Sequence, residues 1–281
     1  MAAFTDQRPR ARAPVAATPV VRARDLSVAF GQRVLWDGLG FDLDEGEFLA
    51  VLGPNGTGKT SLVRILLGLL DPTSGTVEVT GRPPLQARSR VGYVPQQRAF
   101  DRDIPLRGRD LVRLGLDGHR WGLGLRSRGA DERVSKALAD VGADGYCDVP
   151  VGRLSGGEQQ RLRIAQALVS DPALLLADEP LLSLDLASQR IVVDLLDRRR
   201  REAGTPVVFV THDVNPILPA TDRVLYLAPG RWAMGAAAEV LTTETLSRLY
   251  DTPVDVLRVR DRIVVVGTPD DEGVHHHEHE H

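Results

Sequence analysis

One octet, Gly53 to Thr60, reading GPNGTGKT, constrains this chain more than any other feature. It fits the pattern G-x-x-x-x-G-K-[ST]. It follows a continuous apolar run, Phe48 to Leu52, and precedes a stretch in which Leu62, Ile65, Leu66 and Leu69 recur at helical spacing. Strand, glycine turn and helix in that order are the context the motif requires. Gly53, Gly56 and Gly58 let the backbone turn tightly past Pro54, so that N–H groups along Asn55, Thr57 and Ser61 converge on phosphate oxygens. The following helix adds its positive N-terminal end, and Asp71-Pro72 is expected to stop it. Lys59 would neutralise phosphate charge, and the Thr60 hydroxyl would ligate Mg²⁺. A nucleotide is therefore the expected ligand.

The rest of the chain supplies an α/β setting for that loop. Val21 to Phe30 reads as a strand, and Phe41 to Leu43 and Phe48 to Leu52 read as two more on either side of the turn Asp44-Glu45-Gly46. Ala173 to Ala177 and Val207 to Val210 read as further buried strands, joined by a helix near Ser188 to Ala203, and Glu158 to Ser170 reads as helical. Apolar strands alternating with helices imply a mostly parallel sheet. Residues 98–154 change character: they are rich in Arg, Gly and Asp, with helical patches at Arg109 to Leu116 and Asp131 to Val141. A helical subdomain inserted into the α/β core is expected there. Later come a strand and hairpin over Arg223 to Trp232, a helical piece near Ala236 to Tyr250 and a short strand at Ile263 to Val266. The working boundaries are a disordered lead-in over 1–18, one nucleotide-binding domain over 19–267 and a flexible His/Glu-rich tail over 268–281.

Two further segments carry chemistry. ALLLADEP, Ala173 to Pro180, is an apolar strand ending in two acids, placed where α/β sheets bind ligands. Asp178 is expected to hold Mg²⁺ through water, and Glu179 to orient and deprotonate the attacking water. LSGGEQQR, Leu154 to Arg161, puts Ser155, Gly156, Gly157 and Glu158 at the opening of a second helix, with a second set of convergent N–H groups. Ser155 could equally be a plain helix cap. Two such anion-binding starts about a hundred residues apart serve one nucleotide only if they come from different parts of an assembly.

On these motifs the chain resembles the ATP-binding cassette ATPases over about residues 20 to 250. The resemblance implies a P-loop NTPase, RecA-like α/β core with an antiparallel β portion and the inserted helical subdomain. It implies ATP and Mg²⁺ as ligands. It also implies a head-to-tail dimer, in which one copy's LSGGEQ faces the ATP held by the other. Phe30 in SVAFGQ matches the aromatic that stacks on adenine, although it also reads as a core residue. Gln96 in GYVPQ matches the glutamine that reaches metal and water and senses the membrane partner. Asp185 in LLSLD matches the aspartate at the dimer seam. His212 in VTHD matches the switch histidine at the γ-phosphate. Two departures are small: Phe30 stands where tyrosine is commoner, and EPLLSLD lacks the small polar residues that often follow the proline.

Cargo follows from weaker signals. No stretch approaches the roughly 18 apolar residues of a membrane span, so the family reading is an energy-coupling subunit at the cytoplasmic face of the membrane. It would dock beneath separate permease subunits, with an extracellular substrate-binding protein as an indirect partner. AFDRDIPLRGRDLVRLGL (Ala99 to Leu116) and THDVNPILPATDRVLYLAPGRW (Thr211 to Trp232) look like the zinc/manganese importer branch. Siderophore, haem or efflux systems remain the alternative cargoes. A soluble cassette protein is a third reading, against which stand a single cassette and the lack of a heptad run. Five of the seven histidines lie in the HHHEHEH tail. Imidazoles beside Glu278 and Glu280 suit borderline metals, while a solvated acidic tail or an added affinity tag explains them equally. The net charge of −3 gives no reason to expect nucleic acid, and the run Arg198 to Arg201 reads as a solvated helix end. A single cysteine, Cys147, excludes an intramolecular disulfide.

Overall fold

The computed structural model describes residues 18–96, 100–117, 128–260 and 262–267. Most of the expected lead-in, the start of the expected helical insertion at Arg98 and the His/Glu tail lie outside them. Among the described residues the strands are β1 (Val21–Phe30), β2 (Arg33–Leu43), β3 (Phe48–Leu52), β4 (Ser74–Val79), β5 (Val91–Val94), β6 (Leu174–Asp178), β7 (Val207–Val210), β8 (Arg223–Ala228), β9 (Arg231–Gly235), β10 (Asp255–Val259) and β11 (Arg262–Val266). The helices are α1 (Lys59–Leu66), α2 (Pro84–Ala87), α3 (Gly108–Asp117), α4 (Arg128–Asp140), α5 (Gly156–Leu168), α6 (Leu186–Ala203), α7 (Ala237–Val240) and α8 (Thr243–Tyr250).

The main sheet has the order β5-β6-β7-β3-β8-β9. Every pair is parallel except β8 with β9, a hairpin at one edge. Its inner strands are apolar along their whole length because both faces are covered: all residues of β3, β6 and β7 are buried. A second sheet, β2-β1-β4, is antiparallel, and its β1–β2 register is broken by irregularities near Leu26 and Val28. Between β5 and β6 the described elements are α3, α4, a 3-10 turn at Val151–Arg153 and α5. Buried Leu111, Val112, Val134 and Leu138 of α3 and α4 share one apolar core with Phe48 and Phe209 of the main sheet.

Several boundaries differ from the sequence reading. Helix α1 ends at Leu66, well short of Asp71-Pro72. Gly68 takes a left-handed φ of 62°, its N–H reaches the Ile65 carbonyl at 2.8 Å, and the Leu69 N–H reaches the Arg64 carbonyl at 2.7 Å. That is a Schellman closure, which a glycine permits without strain. Leu69 is consequently 62% exposed and is no part of the helix face. Helix α5 opens at Gly156 rather than Glu158. The arginine run does close helix α6, with Arg198 and Arg201 exposed, but its side chains are also paired. Arg198 donates to the Asp140 carbonyl, Arg199 pairs with Asp171, and Arg201 pairs with Asp197. Arg200 bonds Asp197, Asp222 and the Gly46 carbonyl. Helix α6 is thereby stitched to three other parts of the fold.

Candidate nucleotide site

The site is built where β3, β6 and β7 end side by side. β3 delivers the chain to Gly53, whose φ of 138° is open only to glycine. A Cβ there would stand 2.0 Å from the Leu227 carbonyl oxygen of β8, so the loop is pressed against the neighbouring strand. Gly58 is the N-cap of α1 at φ 94° and brings no capping side chain, so the first N–H groups of the helix are not claimed by a cap. Beneath it lies Trp36, whose indole Nε1 would stand 2.6 Å from a Gly58 Cβ. Lys59 is only 6% exposed and folds over the loop, its Nζ donating to the Gly53 carbonyl at 2.5 Å and the Pro54 carbonyl at 2.8 Å. Arg33 donates to the Gly56 carbonyl at 3.1 Å from the outer side.

The acids arrive from β6. Asp178 is 5% exposed, and burial pushes its carboxyl above the usual range, with Glu179 adding to that and Lys59 and Arg64 opposing it. A carboxylate stripped of solvent in this way gains from a nearby hard cation. Glu179 has left-handed backbone, φ 45°, a conformation that costs a non-glycine residue about 1–3 kcal/mol. Its N–H donates to the Val210 carbonyl at 2.9 Å, which holds the strained residue to β7. The Glu179 carboxylate lies 3.5 Å from Gln96 Nε2 and 3.8 Å from His212 Nδ1.

Phe30, Lys59, Thr60, Gln96, Glu179 and His212 thus line one cleft of about 730 Å³, together with Pro54, Asn55, Gly56, Gly58 and Ser61. Phe30 is 54% exposed at its rim and is not a core residue. Three expected residues, Gly53, Thr57 and Asp178, support the cleft from behind instead of lining it. Arg33, Leu35 and Leu182 line it without having been expected. No motif signals them; Arg33 arrives because the β1–β2 turn folds Phe30 back against it.

The second helix start lies outside this cleft: none of Ser155, Gly156, Gly157, Glu158 and Asp185 lines it. Ser155 caps α5, its Oγ accepting from the Glu158 N–H at 3.3 Å while the Glu158 carboxylate accepts from the Ser155 N–H at 2.8 Å. The Ser155 hydroxyl, which also donates to that carboxylate at 2.7 Å, and then the Ser155 N–H hold the Glu158 carboxyl below the usual range. Asp185 caps α6, accepting from the Ser188 N–H at 2.8 Å and the Ser188 hydroxyl at 2.9 Å. The two starts abut: a Cβ on Gly157 would stand 2.6 Å from Ser188 Oγ.

Comparison with known proteins supports one family. Residues 36–182 match the profile described as ABC transporter. The chain is 33% identical over 88% of its length to the manganese transport system ATP-binding protein of Halalkalibacterium halodurans, covering 98% of that protein. It is 37% identical over 82% of its length to the zinc transport system ATP-binding protein of Treponema pallidum, covering 86% of it. Among solved structures it resembles an inward-facing metal-chelate type ABC transporter, with a TM-score of 0.74 and 29% identity over 88% of this chain and 96% of that one. It also resembles a dimeric ATP-binding cassette in a post-hydrolysis state bound to ADP and phosphate, with a TM-score of 0.63 and 27% identity over 76% of this chain and 97% of that one.

Proposed function

Given that this chain belongs to the ABC transporter family and is an ATP hydrolase, we propose that it energises the import of a divalent metal ion, zinc or manganese. The names of the two relatives carry the choice of cargo. A metal chelate is the second reading, favoured by the 29% identical structural neighbour. The chain would sit peripherally at the cytoplasmic face, bound to permease subunits; no helix among the described residues is long and apolar enough to cross a membrane.

The mechanism follows from the cleft. Phe30 offers an exposed ring for adenine, and the glycine loop offers N–H groups and Lys59 for the phosphates. Oxygen donors from Thr60, Asp178 and Gln96 suit Mg²⁺, a hard cation, and the buried Asp178 carboxyl is the strongest reason to place it there. When bound, Mg²⁺ neutralises charge on the phosphate oxygens. Glu179 accepts a proton from water as the water oxygen bonds to the γ-phosphorus. The bond from that phosphorus to the β–γ bridging oxygen breaks, leaving ADP and phosphate. Gln96 and His212 flank the same carboxylate and hold the water and the γ-phosphate in line.

The observation that carries the assembly is the separation of Ser155 to Glu158 from the cleft. A second, head-to-tail copy would bring its own Ser155, Gly156 and Gly157 across to the nucleotide, with Asp185 at the seam. The dimeric structural neighbour supports this arrangement. The test is ATPase activity of the chain reconstituted with its membrane subunits. Stimulation by Zn²⁺ or Mn²⁺ delivered on the extracellular side supports the proposal, and stimulation by a metal chelate alone supports the second reading.

A further inference from the structure

His212 stands on a short segment after β7, and its side chain is 60% exposed. An exposed side chain cannot be fixed by packing, so its position depends on how the backbone around it is held. Two sets of contacts hold it. Before it, the Thr211 N–H donates to the Val51 carbonyl at 3.1 Å, and the Thr211 hydroxyl meets the Asp213 backbone at 3.1 and 3.2 Å. After it, Asn215 ties down Asp213: its backbone N–H and its Nδ2 both donate to Asp213 Oδ1, at 2.9 and 2.8 Å.

The other end of Asn215 reaches the C-terminal hairpin. Its Oδ1 accepts from the Ile263 N–H at 2.7 Å, and its Nδ2 donates to the Ile263 carbonyl at 3.0 Å. A primary amide has two N–H donors, and here both are used. Because Ile263 presents a donor and an acceptor to it, the amide has one satisfactory orientation. Ile263 is buried in the main core, so the hairpin end of the brace is anchored.

We infer that Asn215 is a positioning residue for His212, through which the β10–β11 hairpin, none of whose residues lines the nucleotide cleft, sets the rate of ATP hydrolysis. The inference rests on the proposed role of His212. The brace lies between the histidine and a hairpin that no phosphate contact requires, so its loss should change the geometry of hydrolysis and leave nucleotide binding intact. Asn215→Ala removes the side-chain brace to Asp213 and Ile263 and leaves only the backbone N–H bond to Asp213. Asn215→Asp keeps the acceptor for the Ile263 N–H but loses the donor to its carbonyl, and sets a second carboxylate against Asp213.

The test uses the full-length chain, with single-turnover ATP hydrolysis and ATP affinity measured separately. Wild type, Asn215→Ala, Asn215→Asp, His212→Ala and the double variant His212→Ala/Asn215→Ala are compared. Asn215→Ala is expected to lower the rate roughly tenfold, as a misplacement next to the chemistry does, with ATP affinity within about twofold of wild type. Asn215→Asp should not restore the rate. In the His212→Ala background, removing Asn215 should add nothing, since the brace acts only through the histidine. Wild-type rates in both Asn215 variants, a fully additive loss in the double variant, or a loss of ATP affinity matching the loss of rate would each overturn the inference. A wild-type chain that fails to hydrolyse ATP would instead overturn the proposed function.

Discussion

His212 Nδ1 stands 3.8 Å from Glu179 Oε2, although the two residues arrive on different strands, β6 and β7. The parallel pairing of those strands sets Asp178 beside Val210, so the next residues on each chain emerge together at the sheet's end. Glu179 then turns into the cleft through its left-handed backbone.

Glu179→Gln removes the proton acceptor but keeps the side chain's size. ATP affinity should stay near wild type while turnover falls roughly 10²-fold or more, as expected for loss of a general base. Steady-state hydrolysis beside equilibrium ATP binding checks this, and unchanged turnover would refute the role.

Phe30→Ala should raise the dissociation constant for ATP roughly tenfold, the usual worth of one stacked base. Phe30→Tyr should keep it. Since Phe30 is largely solvent-exposed, thermal stability should hardly move in either variant.

Gly53→Ala and Gly38→Ala separate two kinds of positive-φ glycine. Gly38 has φ 63° with open space where a Cβ would go, so alanine should cost about 1 kcal/mol. Gly53 meets the Leu227 carbonyl, and the clash is backbone against backbone. That substitution should cost about 3 kcal/mol or more, or prevent folding. Thermal unfolding of the two variants in parallel gives the comparison.

Gly157→Ala should push Ser188 off the Asp185 cap, because the added methyl would overlap its hydroxyl. The loosened cap should cost about 1 kcal/mol. Adding Ser188→Gly makes room for the methyl and keeps the N–H that donates to Asp185, so part of the lost thermal stability should return, which a defect confined to α5 would not allow.

Much of this machinery was legible because it is written in short contiguous runs. β3, β6 and β7 are continuous apolar segments, and each is followed directly by its functional residues. The first half of β2 was not legible: Asp37, Gly38 and Gly40 spoil any alternation, and irregular pairing with β1 holds it in place. β10 is hidden for a similar reason, since it is largely exposed and exists as the partner of β11. The end of α1 is set by the left-handed closure at Gly68, a weaker sequence signal than the Asp71-Pro72 stop that follows it. Asn215 could not be singled out at all, since its partner Ile263 lies 48 residues further along.

The central claim is that the nucleotide cleft is half a site, completed by a second copy of the chain. Sedimentation velocity of Glu179→Gln, with ATP and Mg²⁺ and then with ADP and Mg²⁺, tests it most directly. A dimer with ATP that reverts to monomer with ADP is the predicted result. A chain that binds ATP and remains monomeric would contradict it.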